Sequence, residues 1–489
     1  MPDESNVAVA AGSETGHFKR AMGLPDATAI VVGSMIGSGI FIVSAETARV
    51  VGSPGLLLSC WAIAGVMTIV AAVCYAELAA MYPKAGGQYV FLREAFGPLP
   101  GFLYGWTLFA VIQSGTNAAV AVGFAKFLGV FVPWVSNQNY LADLGWWKPT
   151  SAQLVAVVLI AFLTWVNTRG IETAKNIQTS FTATKLLAFG SLILLGLVSA
   201  AKWSGAPVNF GAAFWSSPDS PVGPALFTAM ALAMVGPLFS MDAWNNITFA
   251  GEEVKDAHKV LPRSLALGTL IVVVLYLLAN VAYLLLIPLH GTADATTIAG
   301  RGIQHAAEDR IGVAAAEVIF GDIGRKLMAA AIMVSTFGCL NGLLLAGARV
   351  YYAMAKDGLF FAKAALLDRK TNVPVFGLII QGIWSAMLAM SGKYGDLLEY
   401  VVFAALLFYV ATVAAVMVLR KTKPDFERPF KIPFYPLLPV LYLITSVAIM
   451  GGQVFAKFEN SGKGLLIILS GLPIYFIWRA LQKRSQPSA

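Results

Sequence analysis

Apolar runs long enough to cross a bilayer recur along almost the whole chain, from about Leu24 to about Leu481, and they limit its possible folds more than any other feature. A helix of about 20 residues crosses the roughly 30 Å hydrocarbon core. Only 12% of the residues are charged, whereas soluble domains carry about 25%. The sequence therefore predicts an all-α integral membrane protein with about twelve transmembrane helices.

These helices form one predicted transmembrane domain, 21–482, which lies between a disordered cytoplasmic tail, 1–20, and a short cytoplasmic tail, 483–489. The first tail has no short apolar stretch followed by a cleavage site, so we do not expect a signal peptide. The predicted helices lie at 24–50, 54–82, 98–130, 152–170, 177–201, 224–252, 262–289, 322–357, 374–392, 396–420, 434–454 and 462–481.

The formal charge of +8 would favour nucleic acid as the partner of a soluble protein, but here the basic residues lie in short loops between apolar runs. Lys and Arg accumulate in loops that stay in the cytoplasm. Their distribution predicts cytoplasmic N- and C-termini and a multi-pass protein of the plasma (inner) membrane. We expect contact with membrane lipid and none with nucleic acid.

Side chains that would support an enzyme or a metal site are scattered along the sequence. The histidines fall in predicted loops and the cysteines inside predicted helices: His17, His258, His290 and His305, and Cys60, Cys74 and Cys339. No His/Cys spacing matches a metal site, and no acids and bases cluster as in a catalytic centre. We therefore predict no enzymatic activity, no cofactor and no metal.

Two predicted helices, the first and the sixth, are interrupted near their middle by glycine, proline or polar residues, at 33–41 and 236–246. Each opens a block of five helices, 24–201 and 224–420, with helices 11 and 12 added at 434–481. Paired interruptions of this kind predict a five-plus-five inverted repeat with a binding site at the breaks. Close helix packing is the alternative explanation for such glycines.

An interrupted helix in a bilayer must face protein or a wet cavity, because its freed backbone groups need partners. The half that begins after Gly37 would present amides to a carboxylate. The halves that end at about Ile36 and Phe239 would leave carbonyls for an ammonium group. Together these ends suit an α-amino acid as the small-molecule substrate.

Four sequence blocks resemble a known family: GSMIGSGIF at 33–41, YAELAAMYPKAGGQYVFLREAFGP at 75–98, FSMDAWNNITFAGEEVKDAHKVLPRS at 239–264 and STFGCLNG at 335–342. In this order they resemble the amino acid–polyamine–organocation (APC) superfamily, and specifically a prokaryotic member of its L-type (LAT-like) amino acid transporter branch. The resemblance covers nearly the whole chain. It implies the LeuT-type fold, with the substrate between the unwound segments of helices 1 and 6.

The resemblance also implies the substrate-binding residues: Met35, Ile36, Gly37, Ser38, Gly39, Phe239, Asp242, Trp244 and Asn245. The three residues from Gly37 would bind the carboxylate through their amides, Phe239 would act as an aromatic gate, and Asn245 would reach toward the ligand. The chain departs from the family pattern at Met241, where an aromatic residue is common, and at Ala243, where glycine is usual.

Four acidic residues are considered for both structural and functional roles. Asp242 lies in the middle of its helix, where a charge usually has a function, and it either caps the second half-helix or contacts a polar or cationic substrate side chain. Glu77 is expected to pair with a nearby base such as Arg93. For Glu252 and Glu253, at the end of helix 6, a solvated face is favoured over gating salt bridges.

Lys185 lies about 12 Å from the inner end of helix 5 at 1.5 Å per residue, too deep to snorkel easily. We expect its ammonium group to find acceptors among the carbonyls freed near Ile36 and at the hydroxyl of Ser335. In sodium-coupled carriers of this fold the same region holds a sodium ion. The resemblance therefore implies that Lys185 replaces it.

The sequence thus predicts a sodium-independent secondary amino acid transporter working by alternating access, as an exchanger (antiporter) of neutral L-amino acids. Proton-coupled symport, transport of cationic amino acids, and a transporter-like amino acid sensor are the alternatives. Animal members of the branch are joined to a heavy subunit through a cysteine in the loop after helix 3. Residues 131–150 contain no cysteine, so no disulfide-linked heavy subunit is expected.

Overall fold

The computed structural model describes residues 20–485, except 146, 170, 199–201, 203–204, 392–393 and 457. Apart from Arg20, the predicted N-terminal tail, 1–20, therefore lies outside the described residues, and so does the end of the predicted C-terminal tail, 486–489. The beginning of that C-terminal tail is helical, because the last helix continues to Ser485.

Within the described residues, eight helices are long and apolar enough to cross a membrane, and four shorter apolar helices accompany them. They confirm the predicted number and order, and two of them are split into two pieces. The segments are α1, Leu24–Met35 with Val43–Val51; α2, Pro54–Met81; α3, Pro98–Leu128; α4, Ser151–Thr168; α5, Ile171–Val198; α6, Pro224–Ser240 with Asn246–Phe249; α7, Ala257–Leu286; α8, Ile311–Lys356; α9, Val375–Ser391; α10, Tyr394–Thr422; α11, Leu437–Ala456; and α12, Phe458–Ser485.

Most boundaries agree with the predictions to within a few residues. The largest difference is at α8, which begins at Ile311 and not at 322, whereas the differences at α5, α7 and α12 share one cause. The helices α5, α7 and α12 each include a polar turn that lies outside the predicted range, such as the turn that begins at Ala257. Hydropathy detects only the part of a helix that matches the hydrocarbon core. A polar turn that continues the helix beyond the core is therefore missed.

Several connections contain short helices, among them those between α7 and α8 and between α2 and α3. Between α7 and α8 lie the short helices Ile298–Arg301 and Ala307–Asp309, and α8 itself begins with a separate helical piece, 311–320, that ends at Gly321, whose φ is +64°. The connection between α2 and α3 contains a helix, Gln88–Phe96, that the sequence analysis did not predict. We call it the loop helix.

The packing of the segments follows the predicted repeat. Segments five positions apart pack against each other, since α2 contacts α7, α3 contacts α8 and α4 contacts α9. In addition α1 packs on α7, and α9 packs on α3. The first and sixth segments therefore lie in one group with α2 and α7, beside a second group made of α3, α4, α8 and α9.

Candidate functional site

The interruption of α1 frees four consecutive backbone carbonyls, and side chains from three other helices bind all of them. The helix ends at Met35, and Ile36 has a non-helical ψ of 84°. The donors come from α5, α7 and α8: Lys185 Nζ to Gly33 O at 2.7 Å and to Ile36 O at 3.0 Å, Cys339 Sγ to Ser34 O at 3.1 Å, Tyr276 Oη to Met35 O at 2.9 Å, and Ser335 Oγ to Ile36 O at 2.9 Å. These bonds stabilise the break, since an unpaired carbonyl is costly inside a bilayer.

Lys185 lies where the sequence analysis expected it, with 3% of its surface exposed and its ammonium group on the carbonyls of the α1 break. Ser335 makes a different hydrogen bond from the expected one. Its hydroxyl donates to Ile36 O instead of accepting from Lys185. Both groups therefore converge on the same carbonyl, which joins α1 to α5 and α8. The proposed replacement of sodium by Lys185 stays a prediction.

Backbone groups at the α1 break already form hydrogen bonds within the protein. Ile36 O accepts from two donors, so the predicted bond from a substrate ammonium to this carbonyl is not supported here. The Gly37 amide donates to Met35 O at 2.9 Å. Carboxylate binding by Gly37 would therefore require this turn to open, and the roles of Ser38 and Gly39 stay predictions.

The interruption of α6 lies directly against that of α1. A Cβ atom on Gly39 would lie 2.3 Å from Ser240 Oγ, so only glycine permits the contact. Beyond Ser240 the helix stops, and Ala243 has φ +66°. This left-handed conformation is unfavourable for any residue with a Cβ atom, by about 1 kcal/mol. It explains why glycine would suit the position before Trp244.

Asp242 is bound by a residue that the sequence analysis did not single out. The hydroxyl of Tyr409, on α10, donates to its carboxylate. The capping interpretation required amides two or three residues further on, and Asp242 makes no such bond. The structure therefore does not support the cap, and substrate contact by Asp242 stays a prediction.

Two chambers meet at Asp242 and Tyr409. We call the first the polar chamber and the second the apolar chamber. The polar chamber is lined by Gln88, Tyr104, Leu108, Ile112, Gln113, Thr116, Asp242, Ala243, Asn245, Asn246, Phe249, Leu343, Ala405 and Tyr409. The apolar chamber is lined by Met67, Thr68, Ala71, Leu238, Met241, Asp242, Trp244, Val402, Ala405, Leu406, Tyr409 and Tyr442.

The predicted site residues thus divide into two sets. Asp242 lines both chambers, Trp244 lines the apolar one and Asn245 the polar one. Trp244 is also packed edge-on against Tyr75, with ring centroids 4.7 Å apart. The five α1 residues and Phe239 line neither chamber: Met35, Ile36, Gly37, Ser38, Gly39 and Phe239. The gate role of Phe239 stays a prediction.

We call the end of the bundle that carries Arg20 the N-terminal face. The ion pairs at this face correct two expectations. Glu77 pairs with Arg420 at 2.6 Å, whereas Arg93 pairs with Asp357. Glu253 is buried and binds Arg349 of α8 through two bonds, of 2.5 and 3.1 Å, so its side chain is not part of a solvated face. Partners this far apart in sequence cannot be identified from charge spacing.

Both ends of the bundle are tethered across the broken helices. At the N-terminal face the carbonyl of Glu253 accepts from the amides of Ala21 and Met22. At the opposite face Arg49, in the second half of α1, binds Gln304 O at 2.5 Å and Asp309 at 2.8 Å. The interrupted segments are therefore held to neighbouring parts of the chain at both ends of the bundle. Among the described residues, no three or more His, Cys, Asp or Glu side chains form a group that could hold a metal ion.

Comparison with known proteins agrees with this architecture. A family model described as amino acid permease matches residues 22–474. The large neutral amino acids transporter small subunit 2 of Homo sapiens is 32% identical over 97% of this chain and 83% of its own length. The b(0,+)-type amino acid transporter 1 of Mus musculus is 30% identical over 95% and 89%. The serine/threonine exchanger SteT of Bacillus subtilis is 29% identical over 95% and 98%.

Proposed function

The chain belongs to the amino acid permease family, and we propose that it is a sodium-independent secondary transporter that exchanges neutral L-amino acids by alternating access. The observation that carries the proposal is the contact between the two interrupted segments, at Gly39 and Ser240, beside chambers that contain Asp242. One relative is named for large neutral amino acids and another for serine/threonine exchange. The first name supports transport of neutral amino acids, and the second supports exchange.

The two tethers suggest how access alternates. One tether joins Glu253 to Ala21 and Met22, beside the ion pair of Glu253 with Arg349, and the other joins Arg49 to Gln304 and Asp309 at the opposite face. Release of one tether while the other holds would open the chambers to one side only. The basic loops support the same orientation as the sequence analysis, with the N-terminal face in the cytoplasm and the protein in the plasma membrane.

We expect the purified chain alone, reconstituted in liposomes, to catalyse exchange. Efflux of a labelled neutral amino acid should accelerate several-fold when an unlabelled one is added outside, and replacement of sodium by choline should not change the rate. A symporter would not need unlabelled amino acid on the other side of the membrane, and a sensor would transport no amino acid. A chain that becomes active only with a second protein would contradict the expected absence of a heavy subunit.

Asp242 supplies a prediction about substrate choice. Its carboxylate is held by Tyr409 at the junction of the chambers, where it faces any side chain that enters either one. In Asp242→Asn we expect uptake of basic amino acids to fall about tenfold relative to neutral ones, since charge-assisted hydrogen bonds are worth about 1.5–3 kcal/mol. Competition by a panel of unlabelled amino acids measures this change in substrate preference, and Tyr409→Phe is the control that keeps the charge of Asp242. An unchanged preference in Asp242→Asn would exclude direct contact of Asp242 with the substrate.

A further inference from the structure

The KAGGQY sequence at 84–89 brings a loop side chain into the polar chamber. Gly86 and Gly87 have φ values of +97° and +42°, and the Gly86 amide donates to Phe249 O at 3.1 Å. A Cβ atom on Gly87 would lie 2.2 Å from Thr248 Oγ1. Two glycines are therefore needed for the loop to approach the second half of α6 this closely. The next residue, Gln88, is fully buried and lines the chamber.

The hydrogen bonds of Gln88 fix the orientation of its amide. Its Nε2 donates to Phe408 O at 3.1 Å and to Thr412 Oγ1 at 3.0 Å, both on α10. A carbonyl oxygen can only accept. The Thr412 hydroxyl already donates to Phe408 O at 2.8 Å, so it too accepts from Gln88. Both partners therefore require the NH₂ group of Gln88 on their side, and Oε1 must point the other way.

This orientation is passed on to Asn245. Gln88 Oε1 accepts from Asn245 Nδ2 at 3.1 Å. Because an amide oxygen cannot donate, Asn245 has to direct its NH₂ group toward Gln88. Its carbonyl oxygen is then the end left for other partners. Asn245 lines the same polar chamber as Asp242, so two acceptors of solute hydrogen bonds lie in one space.

We propose that Gln88 is a positioning residue for substrate selection: it holds Asn245 with its carbonyl oxygen toward the solute, so that the site favours side chains with a hydrogen-bond donor. This inference rests on the proposed function. The solute class is a small amino acid that carries a hydroxyl or an ammonium group on its side chain. A site arranged to accept a hydrogen bond discriminates against an analogue of equal size that lacks the donor.

The test uses two pairs of nearly isosteric competitors in exchange by the reconstituted chain, L-serine against L-2-aminobutyrate and L-ornithine against L-norleucine. We expect the unmodified protein to prefer the donor-bearing member of at least one pair. Gln88→Met removes both ends of the amide and should reduce that preference on the order of tenfold. Gln88→Glu still offers an oxygen to the Asn245 NH₂ group but no longer donates to Phe408 O, so it should retain more of the preference than Gln88→Met. Thr412→Val leaves Phe408 O as an acceptor for Gln88 Nε2, so this variant should keep the preference.

The outcomes separate this inference from the proposed function. No exchange of any amino acid by the unmodified chain would contradict the function itself. Exchange without preference in either pair, or an unchanged preference in Gln88→Met, would overturn the role of Gln88. If Gln88→Met does not yield folded protein, Asn245→Ala decides, because it removes the oxygen that would accept from the solute. This variant should lose the preference for the donor, and an unchanged preference would overturn the inference.

Discussion

Amino acid exchange should slow at least about tenfold in Lys185→Ala, while the protein remains folded. The ammonium group binds Gly33 O and Ile36 O, and its loss leaves Gly33 O without that donor in the interior of the bundle. An unsatisfied buried acceptor costs about 1–3 kcal/mol. The α1 break should therefore rearrange, and the broken helix should lose the geometry that the transport cycle requires. Initial exchange rates and the elution profile in detergent measure both effects.

Ser335→Ala is the matched control for this change. It removes the other donor to Ile36 O but keeps the ammonium group, so the rate should fall by no more than about threefold. In both variants and in the unmodified protein, choline in place of sodium should make no difference to the rate. Sodium-stimulated transport by the unmodified protein would show that Lys185 does not replace the ion.

The architecture could be predicted because membrane segments depend on a property that a sequence displays directly. Twelve apolar runs give twelve segments, and the interruptions at 33–41 and 236–246 break α1 and α6 as expected. The loop helix was missed because it is short and does not cross the membrane. Its position depends on the contact of Gly87 with Thr248, which joins residues far apart in sequence.

The candidate site could be predicted only where a residue is unusual for its surroundings. Lys185 and Asp242 are charged side chains in apolar helices, and both lie at the breaks. Tyr409 and Tyr276 gave no such signal, since tyrosine is ordinary in a membrane helix. Their hydroxyls become functional candidates only through the groups that they meet, the Asp242 carboxylate and Met35 O.

The pair of Glu253 and Arg349 is expected to stabilise the closed N-terminal face strongly. Their side chains are 8% and 11% exposed and share two hydrogen bonds, and the Glu253 carbonyl also binds Ala21 and Met22. Loss of one partner leaves a buried charge unpaired, which costs about 3–5 kcal/mol. Arg349→Met should therefore lower the thermal denaturation midpoint in detergent by several degrees.

A double replacement distinguishes loss of the ion pair from loss of packing by the arginine stem. Glu253→Gln combined with Arg349→Met removes both charges, so most of the stability lost in Arg349→Met should return, because replacing a whole buried pair is often nearly neutral. The coupling between the two positions should be at least about 1 kcal/mol, as for residues in direct contact. Lys148→Met removes an exposed partner of Asp143 and should leave the midpoint unchanged.

Additive effects of the two replacements would mean that the charges stabilise this face independently of each other. If the double variant is stable but exchanges slowly, the ion pair is needed for the transport cycle rather than for the fold.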